Sequence, residues 1–336
     1  MEDIYRILEC LEQPGKKVLA TIIAVAGSAY KKEGSMMLLF EDESRIGMLS
    51  AGCLESDLAL QAQEVFQKWK VKTLQYDMRE ETDLAWGQGA GCNGTIDILL
   101  EPVTETLQDD LLKIKRLLES NLQVKALKKL GNTGEYLFIP SEGGPFGQWK
   151  GEVPTFLFET RCGMMPDLPI FQQLFQAKPR LFVFGAGPDA MPVVSLAANI
   201  GFSVTVCDWR EEFCRKKNFP SADRLIIGFP NEFLKKISFS PNDFAVIMSH
   251  HFQRDQEILL SLLQKDLRYL GVLGPRARTK RLLKVESIPD WISSPIGASI
   301  GAKGPEEIAV SIVAQMIEVW RNFSREPVEK LRAIPD

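Results

Sequence analysis

No two of the six cysteines, at 10, 53, 92, 162, 207 and 214, form a Cys-x-x-Cys pair. That argues against a zinc ribbon and against a thioredoxin-type dithiol. No apolar run approaches the roughly 20 residues a membrane-spanning helix needs. Charge of one sign is not in excess. Lys and Arg number 40 against 44 Asp and Glu, a formal net charge of −4, so no broad footprint for nucleic acid is expected. The opening Met1-Glu2-Asp3-Ile4 is acidic and carries no apolar export segment, so a cytoplasmic chain with reduced thiols is expected. Internal repeats and low-complexity tracts are absent.

What is present reads as an ordinary globular protein, 45% hydrophobic and 25% charged over 336 residues. That length suits two domains, each able to bury its own core. Two cysteines stand in small-residue turns. Ser50-Ala51-Gly52-Cys53-Leu54-Glu55 precedes a helical pattern, and Gly89-Ala90-Gly91-Cys92-Asn93-Gly94 precedes a strand. Such turns expose a thiol to a soft partner: a metal centre, a sulfur atom or an electrophile. Amides at a helix start favour the Cys53 thiolate, while Glu55 and Asp57 oppose it by like charge. The plain structural reading is a small buried hydrophobe, and it suits Cys10, Cys162, Cys207 and Cys214.

The first half is α/β without a recognisable template. Ile4, Ile7, Leu8 and Leu11 mark an amphipathic helix stopped by Pro14-Gly15. Val18–Val25 and Met36–Phe40 read as strands, and Leu54 to Trp69 as a helix. Thr95–Leu100 is a strand ended by Pro102, followed by a helix near 107–119, a glycine-rich loop at 142–147 and a strand at 153–159. The stretch 162–178 reads as the connection to the second half.

The second half is clearer. The strand Leu181–Phe184 runs into Gly185-Ala186-Gly187-Pro188-Asp189-Ala190, the G-x-G-x-x-A form of the dinucleotide turn. Val204–Cys207 ends at Asp208, 23 residues after Gly185, near the ~20 expected of a ribose-binding acid. Arg210 blurs the preference this implies for an unphosphorylated ribose. Further strands at 224–227, 244–248 and 269–273 alternate with helices, which predicts a doubly wound parallel sheet. His250 and His251 follow one strand and fall at its carboxyl edge, where open α/β sheets bind ligands. His250 is the stronger site candidate, with Asp255 as its expected partner. Alternatively this is an ordinary loop in which Ser249 or Asp255 caps the next helix. Arg276 and Arg278 follow Gly274-Pro275 and could meet a phosphate. Lys280, Arg281 and Lys284 fit a solvated helix face.

These segments together resemble the XdhC/CoxI family. The likeness rests on Gly27-Ser28, on Gly47 through Glu55, and on Gly91-Cys92-Asn93-Gly94 before Ile96-Asp97-Ile98-Leu99-Leu100-Glu101-Pro102. It continues in Phe184-Gly185-Ala186-Gly187, Cys207-Asp208-Trp209-Arg210, Ser249-His250, Leu273-Gly274-Pro275-Arg276, Pro295-Ile296-Gly297 and Pro305-Glu306-Glu307-Ile308. Ala51 and Asn93 stand where the family often has glycine. Pro188-Asp189 replaces its common His-hydrophobic pair.

The resemblance implies an N-terminal α/β XdhC/CoxI domain over 1–170 and a Rossmann-like domain over 178–336. It implies an accessory chaperone rather than a stand-alone enzyme. Such a protein binds the molybdenum cofactor (molybdopterin), holds it while a cysteine desulfurase supplies the sulfido ligand, and delivers it to an apo-xanthine dehydrogenase or related molybdenum hydroxylase. Gly52, Cys53, Glu55, Gly91, Cys92 and Gly94 are then expected toward the molybdenum, with Cys53 and Cys92 as candidate metal contacts. Gly185, Gly187, Asp208, Arg210, His250 and Arg276 are expected to bind the rest of the cofactor, its phosphate on the glycine turn. A homodimer is expected because the clients are dimeric and apolar helices need cover. The rival reading is an NAD(P)-dependent oxidoreductase with His250 as proton donor, although no Ser-Tyr-Lys constellation accompanies the turn. A partner-binding scaffold is the third.

Overall fold

A computed structural model describes residues 2–52, 54–78, 93–131, 133–153, 162–165 and 168–321. Cys53, Gly91 and Cys92 lie outside the described residues, as does the expected strand at 153–159 beyond its first position. The chain divides into two compact units, Met1–Ala177 and Lys178–Asp336.

Among the described residues the first unit holds two antiparallel sheets. In one, β1 (Lys17–Ser28) is central, flanked by β2 (Met36–Phe40) with β3 (Arg45–Gly47), and on the other side by β5 (Asn93–Pro102) with β4 (Lys72–Asp77). Period-two alternation sends each strand's side chains to two cores. Leu19, Met36, Leu38 and Phe40 pack with α1 (Glu2–Cys10) and α3 (Glu105–Glu119). Val18, Ala20, Met37 and Leu39 pack instead with Leu58, Ala62 and Val65 of α2 (Glu55–Lys68).

The other sheet is ordered β8 (Phe146–Gln148), β7 (Tyr136–Pro140), β6 (Val124–Lys129), β10 (Ile170–Phe175), β9 (Cys162–Met164). Its Val124, Ala126, Phe138 and Phe175 share the core with α1 and α3. The stretch 162–178, expected as a connection, therefore contributes two strands. Gln172 and Gln173 interrupt the apolar run of β10, yet both are buried. The loop expected at 142–147 ends within β8.

The second unit has six parallel strands in the order β13 (Arg224–Ile227), β12 (Ser203–Asp208), β11 (Arg180–Phe184), β14 (Phe244–Ile247), β15 (Tyr269–Val272), β16 (Ile292–Ser293). Read by strand number within the unit, that is 3-2-1-4-5-6, the dinucleotide-fold order. Leu181 and Val183 face a core covered by α4 (Ala190–Asn199) and α8 (Gly304–Arg321). Phe182 and Phe184 face the core covered by α5 (Pro230–Phe233), α6 (Phe252–Leu262) and α7 (Arg276–Leu283). The expected Rossmann-like sheet is present, and the switch of strand order falls between β11 and β14, beside the glycine turn. No helix among the described residues is long and apolar enough to cross a membrane.

Candidate functional site

The carboxyl edge of the parallel sheet collects every sequence-predicted residue of the second unit, because each follows the end of a strand. Gly185 leaves β11 at φ +123°. A Cβ there would stand 2.6 Å from the Met248 carbonyl and 2.7 Å from the Ser249 Cα. Only glycine lets the turn lie against the chain leaving β14.

Asp208 is fully buried at the end of β12. Its Oδ2 accepts from the Ala186 amide at 2.6 Å and from Arg210 Nη2 at 2.8 Å. Its Oδ1 accepts from the Arg210 amide at 2.8 Å and from Arg210 Nε at 3.0 Å. Four bonds match the roughly four acceptor positions of a carboxylate. The acid expected on a ribose is thus saturated by its own chain. Hydrogen bonding to Asp208 raises the Arg210 pKa further, and its guanidinium lies 4.7 Å from the Trp209 ring centroid and 4.6 Å from that of Phe213.

The first two amides of the glycine turn are committed in the same way. The Gly185 N–H goes to the Cys207 carbonyl, the Ala186 N–H to Asp208, and Pro188 has none. Asp189 then brings a carboxylate onto the turn. Its Oδ1 stands 2.6 Å from where a Cβ on Gly187 would be. Its Oδ2 is 2.7 Å from Nε2 of His250. The partner of His250 is therefore Asp189, not the expected Asp255. Asp255 is buried behind the loop, bonded to the Ser249 hydroxyl and, at 2.7 Å, to Arg278 Nη2. That ion pair fixes the chain leaving β14 and takes Arg278 away from any phosphate.

His250 sits at φ +62°, a left-handed conformation uncommon for a side-chain-bearing residue, with its ring largely exposed. His251 is the N-cap of α6, its Nδ1 accepting from the Arg254 amide at 3.3 Å, and its ring meets Trp209 edge to face at 5.6 Å. Arg276 donates to the Ser294 carbonyl at 2.7 Å. Asp189 was missed as a site residue, although its signal was visible: an acid at the helix start where the dinucleotide turn seats an anion.

In the first unit the turn before α2 is built around a buried carboxylate. Glu55 accepts from the Ser50 amide at 2.8 Å and from the Ser50 hydroxyl. Ser50 Oγ in turn accepts from Gly52 and Leu54, both at 3.1 Å, which stands in for a missing N-cap side chain. Burial raises the Glu55 pKa, but the Ser50 hydroxyl and amide outweigh it and hold the carboxyl below its ordinary value. Glu55, expected toward the cofactor, spends its oxygens holding the turn. Asp57 accepts from the Tyr76 hydroxyl at 2.6 Å.

Gly94 is required for a different reason. A Cβ there would stand 2.5 Å from the Ala26 carbonyl oxygen, so glycine permits the pairing of β5 with β1 that sets the chain at residue 93 beside Ser28. Gly52, at φ +113°, has open space around it. Cys207 and Cys214 are buried in the core as expected, whereas Cys10 and Cys162 are only partly buried, the Cys162 thiol being pushed up to about 12 by burial and then Glu33. Among the described residues no group of three or more His, Cys, Asp or Glu is placed to hold a metal.

Comparison with known proteins follows the same divisions. Residues 10–77 match the model described as the XdhC and CoxI family, 105–176 the BH1974-like central domain, and 181–316 the XdhC Rossmann domain. The middle match spans α3 and the second antiparallel sheet. A Bacillus subtilis protein described as a probable xanthine dehydrogenase subunit is 42% identical over 96% of this chain and 99% of its own. The molybdenum cofactor insertion chaperone PaoD of Escherichia coli is 25% identical over 93% of this chain and 86% of its own. A crystal structure described as a xanthine dehydrogenase from Bacillus halodurans is 47% identical, with a TM-score of 0.88 over 98% of both chains. With the full length matched at these identities and the family models ordered along it as its sheets are, the chain belongs to the XdhC and CoxI family.

Proposed function

We propose that this protein is a maturation chaperone that carries the molybdenum cofactor as cargo. It holds the cofactor while a cysteine desulfurase supplies the terminal sulfido ligand, then passes it to an apo-xanthine dehydrogenase or related hydroxylase. Support comes from family membership and from the insertion-chaperone role of the Escherichia coli relative, matched over nearly the whole chain. The observation that carries the choice against an NAD(P) oxidoreductase is Asp208. A dinucleotide enzyme offers this carboxylate to a ribose and its turn amides to a pyrophosphate. Here Asp208 accepts four bonds from its own unit, and the turn carries an acid. These residues do not fit a dinucleotide in its usual pose.

They do offer a flat heterocycle an indole at Trp209, a guanidinium stacked on it, and the Asp189–His250 pair. Cys53 and Cys92 remain the proposed contacts for the molybdenum end, since thiolates suit a soft metal. The test is cofactor retention through gel filtration. Wild-type protein from molybdate-fed cells should keep molybdenum and pterin, and Cys53→Ala and Cys92→Ala should lose most of it. Wild-type retention in both variants would remove the two cysteines from the proposal. Absence of cargo from the wild type would remove the carrier role itself.

A further inference from the structure

We propose that the Gly185–Ala190 turn is a seat that refuses phosphate and takes its ligand by hydrogen-bond donors, with Asp189 as the specificity-determining residue. In a dinucleotide turn the second glycine is bare so that pyrophosphate can approach the backbone. Here Asp189 Oδ1 covers that bare face of Gly187. An anion on the turn would meet a carboxylate at van der Waals distance, in a place where the Gly185 and Ala186 amides are already committed and Pro188 supplies none. Like charges that close repel strongly away from bulk water.

The same carboxylate is an acceptor. Among the described residues its hydrogen-bond partner is His250 Nε2, on Oδ2, which leaves Oδ1 lone pairs for an N–H donor. His250 is held in its left-handed conformation beside it. Trp209 and His251, in edge-to-face contact, and Arg210 over the indole add flat surfaces at the same sheet edge. A carboxylate at the same sheet edge as aromatic surfaces suits a planar ring with adjacent N–H donors, the amino-pyrimidinone edge of a pterin or a guanine. Choosing the pterin rests on the cargo reading above. The refusal of phosphate does not. On this account the pterin, rather than the cofactor's phosphate, meets the glycine turn.

The test uses the full chain and two probes. Unsubstituted pterin is titrated by its own fluorescence, and ADP-ribose by calorimetry. Wild-type protein should bind pterin and give no heat with ADP-ribose. Asp189→Asn should weaken pterin by about tenfold or more, the scale of one charge-assisted hydrogen bond. Asp189→Gly should gain ADP-ribose binding by at least about tenfold. Circular dichroism and a denaturant midpoint show that each variant is folded. Pterin binding unchanged in Asp189→Asn, no pterin binding by the wild type, or ADP-ribose binding equal in wild type and Asp189→Gly would each overturn the proposal. Should Asp189 govern both probes while the purified protein carries no molybdenum, the cargo reading fails and the selectivity of the turn stands.

Discussion

Asp208 shows why position alone does not assign a role. Its place at a strand end was legible in the sequence, as was the glycine turn 23 residues before it. What the carboxylate meets was not legible, because Arg210 is two residues on and folds back only once the strand is built. The pair holds a fully buried charge. Arg210→Ala would leave Asp208 without the guanidinium, and should cost about 2–3 kcal/mol, below the full penalty of a buried pair because Arg210 is partly exposed. A double-mutant cycle with Asp208→Asn, followed by denaturant midpoint, should show that the two losses do not add.

Glu55 makes a second prediction at this scale. Its folded pKa lies below the ordinary value, so the stability it contributes is present above the unfolded pKa of about 4.3 and is lost as pH falls through the folded pKa. Glu55→Gln should therefore be less stable at neutral pH by about 1–3 kcal/mol and show a flatter loss on acidification below about pH 4. Urea midpoints across pH 3–7 measure both.

The parallel sheet was the most readable of the elements, since its strands are short apolar runs ended by turn residues at the edge that builds the site. Strand β16 escaped notice because two residues carry no periodicity. The first unit resisted for a different reason. Strands β3, β4 and β6 to β10 went unread, and the sheet that holds β6 to β10 depends on a pairing between distant segments, β10 with β6. Buried polar residues blur the pattern there: Gln172 and Gln173 lie inside the protein, and Lys128 forms a buried ion pair with Glu101.

Gly94 shows how one residue can hold such an element in place. It lies opposite Gly27 at the ends of β5 and β1, with the Ala26 carbonyl 2.5 Å from where its Cβ would be. Gly94→Ala should cost about 1–3 kcal/mol through forced separation of the two strands. Hydrogen exchange should show the damage at the β1–β5 ladder while β11 to β15 keep their protection.

At the scale of the whole molecule, the role proposed for this XdhC and CoxI family member is that of a carrier, not a dehydrogenase. Each unit has its own core, and the family matches run through both. The second unit keeps the strand order and glycine turn of a dinucleotide fold, yet its ribose acid and the first two amides of that turn serve the protein itself. The cargo is therefore the property to measure. Protein purified gently from molybdate-fed cells should carry molybdenum and pterin in equal amounts, approaching one per chain. On mixing, it should raise the activity of an apo-hydroxylase while losing that molybdenum. Protein free of both molybdenum and pterin, with tight binding of NAD in their place, would contradict the account.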